Sequence, residues 1–578
     1  METLESKSNS AARTWGVFFG GMLIGALVWA GASQLTRKPE ESASDDKAAR
    51  WETVAESPSA AGAAAGKGEG DSTPREEGVP TGTTPDDSLG SEVERGRELA
   101  RQICSGCHLY PEPQLLDKVN WAFEVLPDMG IIMGMEEGDP YVLLGAQQRV
   151  REAGIIPTEP VLQSVEDWRA IIAFYLHEAP DEALPQPPRS PIEIGLDQFE
   201  SVIPAQVQIP QTSLVRIDAA GRRLFVGEAE TNTFAIFGPD LQRQRYLNLA
   251  SPPSDMELKG DAMYVLQIGD LLPSDELNGS LAVIGKPGSN LPGGGGTILA
   301  RMPRPVDMEI VDLNGDGRDD IVVCGYGNHL GSLLWYENTE EGGYKEHVIE
   351  NRPGAIKVYP RDYNKDGRMD LIVMFAQYKE GIYLFENAGN GDFLMTPLME
   401  KHPIWGNSYF ELADMDGDGD EDILATNGDN GDHTQLVPPF KNYHGVRIYL
   451  NDGRFNFTES WFYPINGAYK AMARDYDQDG DLDIASIAYF ADYRRSREET
   501  FVYFENQGDM TFTTRTFEQT LAGRWLTMDA GDLDGDGDID LVLGALNEGP
   551  SVVPAVLQQR WVESGPPFLL LKNTLKSP

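Results

Sequence analysis

Two cysteines and a histidine stand close together in the segment Cys104-Ser105-Gly106-Cys107-His108. Two thiols at this spacing can each form a thioether with one vinyl group of a haem, and the adjacent imidazole can bind the iron. The C-x-x-C-H pattern is the signature of covalent haem attachment. It predicts one covalently bound haem c, attached through Cys104 and Cys107, with His108 as an iron ligand.

Redox-active and zinc-binding cysteine pairs share the C-x-x-C spacing. A zinc site needs two further ligands, but the next cysteine is Cys324 and the next histidine is His177. A thioredoxin-like pair needs a flanking βαβ unit, and no such pattern surrounds the motif. Cys324 lies in a strand-like apolar run and is interpreted as a small buried hydrophobic residue. The haem interpretation is therefore preferred.

Helical patterns flank the motif on both sides. The segment 96–100 leads into it, and 164–176 has the spacing of an amphipathic helix with several aromatic residues. With the motif after a first helix and an aromatic-bearing helix at the end, residues 91–180 resemble class I c-type cytochromes. The resemblance implies a small all-α electron-transfer domain, usually with an axial methionine that raises the reduction potential.

Three methionines lie between the two predicted helices. Met129 follows Leu126-Pro127-Asp128, which matches the proline-flanked loop that such ligands occupy, so it is the leading candidate for the sixth iron ligand. Met133 and Met135 are alternates, and any of the three could instead fill the core. His177 is a further alternate, although its position predicts an exposed residue at a helix end.

A second set of ligands recurs five times in the C-terminal half. Oxygen atoms at positions 1, 3, 5 and 9 of each loop, with a backbone carbonyl at position 7, can surround a hard cation, and glycine at position 6 allows a sharp turn. The pattern predicts up to five bound Ca²⁺ ions. In chain order the residues at positions 1, 3, 5, 7 and 9 are Asp312, Asn314, Asp316, Arg318 and Asp320; Asp362, Asn364, Asp366, Arg368 and Asp370; Asp414, Asp416, Asp418, Asp420 and Asp422; Asp475, Asp477, Asp479, Asp481 and Asp483; and Asp532, Asp534, Asp536, Asp538 and Asp540.

These loops differ from EF-hands, in which a glutamate at position 12 supplies a bidentate ligand. Each loop here runs directly into a strand-like sequence, and the residues at position 12 are Val323, Val373, Ala425, Ser486 and Leu543. Without helices on both sides, opening on calcium binding is not expected. The loops therefore predict a structural role for the metal.

The first aspartates of successive loops are 50, 52, 61 and 57 residues apart. This period is typical of a four-stranded propeller blade. Two earlier blades without the loop, around 214–227 and 262–266, bring the total to about seven. The C-terminal run 568–571 is predicted to close the ring with an N-terminal strand such as 205–209. The region, most clearly 300–550, resembles FG-GAP/VCBS repeats of integrin-α-like propellers, which implies structural calcium binding.

Charge and hydropathy indicate where the protein works. The 92 acidic residues outnumber the 47 basic ones, giving a net charge of −45, which excludes binding to nucleic acid. The segment 15–35 contains no charged residue and is long enough to cross about 30 Å of hydrocarbon as a helix. It is either an uncleaved signal anchor or a signal peptide cut after Ala30-Gly31-Ala32. Both readings place the remainder outside the cytoplasm, facing the periplasm or the cell exterior.

The predicted fold is multidomain. An N-terminal transmembrane helix (1–36) is followed by a disordered acidic linker (37–90), a small all-α cytochrome c domain (91–180), a Pro-rich linker (181–191) and an all-β propeller of about seven blades (192–578). This order predicts one export segment, one redox domain and one large binding domain.

The predicted function is single-electron transfer by a membrane-anchored, extracytoplasmic c-type cytochrome. The propeller would bind a partner or ligand, and the electrons would pass to or from a redox partner protein or a quinol-linked complex. An electron carrier is favoured over a catalyst, because no nucleophile–base spacing or nucleotide-binding loop is visible. A haem-coupled propeller dehydrogenase and a calcium-dependent adhesion protein are the alternatives. The long polar segment 427–444 predicts either a functional loop or a solvated insertion.

Overall fold

The described residues fall within the unit Thr81–Pro578. The computed structural model describes residues 85–135, 153, 161–205, 210–288, 295–431, 439–547, 549–550 and 553–576. The predicted anchor at 15–35 and the acidic linker up to residue 84 lie outside these residues. Within them, no helix is both long and apolar enough to cross a membrane.

The N-terminal part of this unit is helical and is called the helical unit below. Helix α1 ends one residue before the haem motif, and α4 begins after Ser164, whose hydroxyl accepts a hydrogen bond from the Asp167 N–H at 3.1 Å. Both predicted flanking helices are therefore present. The elements are α1 (Pro85–Ile103), 3-10 turns at Cys104–Gly106 and Pro113–Leu115, α2 (Lys118–Asn120), a π-helical turn (Trp121–Val125), α3 (Leu126–Ile132) and α4 (Val165–Glu178).

Helices α1 and α4 cross in close contact at Gly96. A Cβ atom on Gly96 would lie 1.9 Å from the Ala170 carbonyl oxygen and 2.9 Å from Cβ of Phe174, so only glycine allows this approach. Beside the crossing, the buried rings of Trp121 and Tyr175 pack with their centroids 4.4 Å apart. The helical unit thus has its own aromatic core.

The rest of the described chain forms a seven-bladed propeller, as the sequence predicts. At least five of the six residues in the second strand of each blade are buried, as in Asp320–Gly325, because neighbouring blades cover both faces of this strand. Cys324 lies in this strand and is fully buried. Blades 1 to 4 contain β3 (Thr212–Asp218), β4 (Arg223–Glu228), β5 (Thr233–Phe237), β6 (Arg243–Asn248); β7 (Pro253–Lys259), β8 (Ala262–Gln267), β9 (Gly279–Gly285), β10 (Gly296–Met302); β11 (Pro305–Val311), β12 (Asp320–Gly325), β13 (Ser332–Asn338), β14 (Tyr344–Glu350); and β15 (Ala355–Arg361), β16 (Asp370–Phe375), β17 (Glu380–Gly389), β18 (Asp392–Lys401).

Blades 5 to 7 complete the ring, and the chain segment before the first blade contributes two strands to them. Blade 7 also carries helix α5 (Ala555–Ser564) between its second and third strands. The strands are β19 (Asn407–Ala413), β20 (Asp422–Asn427), β21 (Gly445–Asn451), β22 (Phe457–Pro464); β23 (Ala468–Arg474), β24 (Asp483–Ala488), β25 (Phe501–Asn506), β26 (Phe512–Thr516) with β1 (Glu193–Ile194); and β27 (Trp525–Gly531), β28 (Asp540–Ala545), β29 (Phe568–Asn573), β2 (Phe199–Val202).

Ring closure is confirmed, but the predicted closing strand is wrong. β29 pairs with β2 from Phe199↔Asn573 to Val202↔Leu570, not with 205–209, of which 206–209 lie outside the described residues. The pairing joins the two ends of the propeller sequence. A local apolar pattern does not specify the register of such a distant pair.

The two faces of the propeller carry different loops. Loops that join the first and second strands of a blade all open on one face, called the lower face here, and these include the five aspartate loops. Loops that join second to third strands, or one blade to the next, open on the upper face. A seven-residue first strand such as β19 separates the two faces by about 20 Å at the usual rise per residue.

Candidate functional site

Cys104 and Cys107 lie at the end of α1 and in the turn that follows it. Cys104 is half-buried and Cys107 is exposed. Burial, opposed in part by the nearby Tyr175 hydroxyl, raises the pKa of the Cys104 thiol to about 11. Redox-active cysteines show the opposite shift, toward a stable thiolate. The environment of Cys104 therefore does not match a dithiol oxidoreductase.

The His108 ring has a fixed tautomer. Its Nδ1 lies 2.7 Å from the backbone carbonyl oxygen of Leu109, and because a carbonyl only accepts, Nδ1 must carry the proton. Burial lowers the pKa of His108, which favours the neutral ring. The lone pair is then on Nε2, the arrangement found in histidines that bind a metal through Nε2.

A second histidine, His402, approaches His108 from the propeller. It lies in the connection between β18 and β19 on the upper face, and its ring is edge-on to that of His108 with a centroid distance of 5.0 Å. Its Nδ1 accepts a hydrogen bond from the Ile404 N–H at 3.1 Å. Burial and the neighbouring His108 lower its pKa to about 3, so the ring is neutral and Nε2 carries the proton.

The Nε2 atom of His402 is buried and has no hydrogen-bond partner among the described residues. The whole side chain is only 6% exposed. Buried donors in proteins are nearly always paired, so this one is available to an acceptor outside the described residues. The sequence gives no sign of this contact, because His402 belongs to the fifth-blade connection, far along the chain from His108.

The upper face holds this part of the helical unit in place. Ile404 is buried in the core of the helical unit, and the Tyr443 hydroxyl donates to the Leu115 carbonyl at 3.1 Å. The Lys441 ammonium donates to the Ile404 carbonyl at 2.7 Å. The segment 427–444 is the one predicted as a functional loop or a solvated insertion. Its residues Lys441 and His444 are buried, and residues 432–438 lie outside the described residues.

The three candidate methionines lie together beside the core of the helical unit. Met129 is in helix α3, so the predicted proline-flanked loop is wrong: Pro127 is the second residue of α3, which continues without a break from the π-helical turn Trp121–Val125. Met133 caps that helix and Met135 follows it. Their role as ligand or core residue stays a prediction.

His177 is in the last turn of α4. Its side chain is 58% exposed, and its Nδ1 lies 3.2 Å from a carboxylate oxygen of Glu178. Some described side chains lie close enough together to hold a metal ion, with ligand atoms within 4.8 Å of one another. These groups contain neither His177 nor Cys104, Cys107 or His108. A zinc site at the motif is therefore not supported.

The aspartate loops form tight turns between first and second strands. Glycine at position 6 has a positive φ, as in Gly317 at +86°, and position 4 does too, even where it is Lys365 (+61°) or Gln478 (+60°). In the first, second, third and fifth loops the position 1 carboxylate accepts the N–H of the position 6 glycine, as Asp312 does from Gly317 at 2.8 Å. These four turns are thus pre-shaped around their first carboxylate.

The aspartate at position 9 has a repeated structural role. Asp320 is fully buried, and its two oxygens accept the N–H of Leu313 at 3.2 Å and that of Asn338 at 2.8 Å. It therefore ties the loop to the end of the third strand. The equivalent residues Asp370, Asp422, Asp483 and Asp540 accept from Asn387, Asn451, Asn506 and Asn573 in the same way.

Position 7 divides the loops into two classes. In the first two loops the Arg318 and Arg368 guanidinium groups donate to Asp316 and Asp366 of their own loops, so a side-chain cation already neutralises position 5. In the last three loops position 7 is an aspartate. The convergent carboxylate groups are found in these three loops: Asp414, Asp416 and Asp422; Asp475, Asp477 and Asp479; and Asp532, Asp534 and Asp536.

Asp538, at position 7 of the fifth loop, has an unpaired oxygen. The side chain is fully buried; Oδ2 accepts the Lys576 N–H at 3.1 Å, but Oδ1 has no partner among the described residues. Burial and the neighbouring Asp536 raise its pKa to about 6. A buried unpaired carboxylate oxygen is costly unless a cation or donor meets it, which fits a metal ion in this loop.

Comparison with protein families agrees with the loop pattern. Residues 312–373, 362–425 and 475–543 match the model of the FG-GAP-like repeat family, and these stretches contain all five aspartate loops. The chain therefore carries FG-GAP repeats within a seven-bladed β-propeller. No curated protein matches the chain.

Solved structures similar to this chain include other propellers. The WD40 domain of Pan2 from Neurospora crassa is 13% identical, with a TM-score of 0.39, and the match covers 61% of this chain and 94% of that one. The Cps50 (Swd1) β-propeller domain of Myceliophteria thermophila is 10% identical, with a TM-score of 0.39 and coverages of 60% and 96%. The periplasmic gluconolactonase PpgL of Pseudomonas aeruginosa is 14% identical, with a TM-score of 0.35 and coverages of 52% and 84%. Similarities at this level carry no argument about function.

Proposed function

We propose that this protein is a c-type cytochrome joined to a calcium-binding propeller and that it transfers single electrons outside the cytoplasm, tethered by its N-terminal segment. The observation that carries the proposal is the Cys104–His108 motif, with His108 held as a neutral ring whose Nε2 lone pair is free to bind iron. The presence of a helix before the motif and of the aromatic-bearing helix α4 after it supports the resemblance of this region to class I cytochromes.

Four residues would hold the haem. Cys104 and Cys107 would form the thioethers, His108 would bind the iron, and Met129 is the leading candidate for a second iron ligand, with Met133, Met135 and His177 as alternates. When bound, the haem supplies a one-electron Fe(III)/Fe(II) couple. The Leu109 carbonyl orients the His108 ring, and helix α4 shields the Cys104 side through Tyr175.

The exposure of Cys107 indicates where electrons would enter or leave. Cys107 is exposed whereas Cys104 is half-buried, so a redox partner protein or a quinol-linked complex could approach the motif from the side of Cys107. On the side of the propeller, His402 lies next to His108 and Ile404 packs into the core of the helical unit.

Calcium would stabilise the propeller on its lower face. The three loops with aspartate at position 7 offer convergent carboxylates, and the unpaired Oδ1 of Asp538 supports a cation in the fifth loop. The first two loops carry an arginine at the same place. We therefore expect calcium mainly in the third, fourth and fifth loops, whereas the sequence pattern alone allows five.

A calcium-dependent binding or adhesion function is the second candidate. The observation that favours it is the FG-GAP propeller itself, a fold suited to binding. Fold alone does not specify the ligand. In that case the haem site would be secondary, and its loss would leave ligand binding intact.

Haem attachment tests the main proposal. The full-length protein, produced in a host with haem-attachment machinery, should keep its haem when it is denatured and extracted with acidified acetone. Replacing both Cys104 and Cys107 by serine should release haem into the acetone, whereas Cys324→Ser, which changes a buried thiol in the propeller, should not. Free extraction from the wild type would refute the proposal.

Substrate tests separate an electron carrier from a dehydrogenase. An electron carrier should take up one electron from a chemical reductant and should not be reduced by alcohols, sugars or amines. Reduction of its own haem by one of these compounds would instead support the haem-coupled dehydrogenase.

A further inference from the structure

The propeller brings a buried histidine, His402, to the proposed haem site. Its ring centroid is 5.0 Å from that of His108, and its Nε2 is buried without a hydrogen-bond partner among the described residues. We propose that the Nε2–H of His402 donates a hydrogen bond to a carboxylate of the bound haem, so that the propeller itself tunes the reduction potential. This inference rests on the proposed function.

The local hydrogen bonds make His402 a donor rather than an iron ligand. Binding iron through Nε2 would require the proton on Nδ1, but Nδ1 already accepts the Ile404 N–H at 3.1 Å. If the proton moved from Nε2 to Nδ1, the Nδ1–H of His402 would face the backbone N–H of Ile404, and neither group could accept a hydrogen bond. With Nδ1 accepting, Nε2 keeps its proton and can only donate.

The neighbours of His402 do not offer a better acceptor. The ammonium of Lys441 can only donate, and it is already bonded to the Ile404 carbonyl. The Nε2 lone pair of His108 could accept in the haem-free protein, but iron would occupy that lone pair in the haem-bound one. The carboxylates of the haem are the acceptors that remain, and they are strong ones because they are charged.

The fold keeps His402 in place. It caps the 3-10 turn Pro403–Trp405, and this turn is fixed by the Lys441 ammonium and by Ile404 in the core of the helical unit. A side chain held in this way needs little rearrangement to donate. It is therefore a positioning residue supplied by the propeller, on the face opposite the aspartate loops.

The test compares variants of His402 in the full-length haem protein. His402→Phe keeps a ring but removes the donor, and His402→Gln keeps an N–H donor. Because a donor near the haem favours the more negative reduced state, we expect His402→Phe to lower the ratio of reduced to oxidised haem at a fixed applied potential at least threefold, and His402→Gln to restore part of it. His444→Phe is the control, since His444 is buried in the same face but packs against Tyr443.

The outcomes separate this inference from the proposed function. If the wild type releases its haem on extraction, the proposed function fails. If the haem is retained and His402→Phe has the wild-type potential, the role of His402 is refuted. A change from a low-spin to a high-spin ferric haem spectrum in His402→Phe would also refute it, because His402 would then be an iron ligand. If that variant does not fold, the wild type still decides: the His402 Nε2 proton should give a paramagnetically shifted NMR signal in the ferric protein, and an unshifted signal contradicts the inference.

Discussion

Calcium should stabilise the propeller through the fifth loop but not through the first. The matched pair of substitutions is Asp536→Asn and Asp316→Asn, which change the same loop position in the same way. Asp536 belongs to a convergent carboxylate group, whereas Asp316 is neutralised by Arg318. Asp536→Asn should therefore reduce the calcium-dependent stabilisation, and Asp316→Asn should leave it unchanged.

The size of the effect follows from binding linkage. Without a position 12 glutamate we expect dissociation constants in the extracellular range of about 10⁻⁴–10⁻³ M. At about 2 mM free calcium, RT ln(1 + [Ca]/Kd) gives about 0.6–1.8 kcal/mol per site. For a propeller of this size the corresponding change in Tm is roughly 1–2 °C per site, so three filled loops should contribute a readily measured shift.

The assay is thermal unfolding of the β-sheet signal with calcium and with a chelator, together with calorimetric titration of the chelated protein. We expect about three calcium ions per wild-type chain on this argument, one fewer in Asp536→Asn and no change in Asp316→Asn. A melting curve that does not respond to chelation would show that the loops are only acidic turns. An equal loss of calcium in both variants would refute the division of the loops into two classes.

Three further predictions concern the haem and pH. Chelation should leave the haem reduction potential nearly unchanged, because the aspartate loops lie on the lower face, about 20 Å of strand from the upper face; a large shift in voltammetry would contradict this separation. The calcium-free protein should lose stability as pH rises from about 4 to about 7. Burial raises the pKa of Asp538 to about 6 and that of Asp540 to about 7, so the folded state holds protons that the unfolded chain releases. Unfolding midpoints measured across this range, with and without calcium, test the direction of the change. Met129→Ala should abolish the methionine–iron band at about 695 nm that axial methionine gives in the oxidised protein, and survival of the band would assign the ligand to Met133 or Met135.

The propeller could be predicted in detail because its signals are local and repeated. Each aspartate loop is followed by an apolar strand, and the period between loops equals one blade, so the number of blades and the strand after each loop agree with the prediction. The closing strand could not be predicted in the same way. Its pairing with β29 depends on which segment reaches the last blade in space, and Phe199–Val202 does so instead of 205–209.

The aspartate loops show that the motif leaves out the effect of the side chain at position 7. The arginines at position 7 are visible in the sequence, but the motif assigns only a backbone carbonyl to that position. In three dimensions the side chains of Arg318 and Arg368 turn back onto their own loops. The different charges at position 7 are a sequence signal that could have separated the two classes.

The haem site could be predicted only as far as the motif extends. Cys104, Cys107 and His108 are adjacent in sequence, whereas the contact with His402 arises from the packing of the helical unit on the fifth blade. The proline at position 127 predicts a loop around Met129, but α3 includes both residues and continues directly from the π-helical turn before it.

Covalent attachment of haem at the motif is the central claim, and peptide mass spectrometry tests it most directly. The full-length protein should be produced in a host with haem-attachment machinery, denatured and digested. The peptide that contains Cys104 and Cys107 should be heavier by the mass of one haem, which is bonded to both thiols. The peptide that contains Cys324 should be unmodified. Two free thiols in the motif peptide of such a preparation would contradict the account.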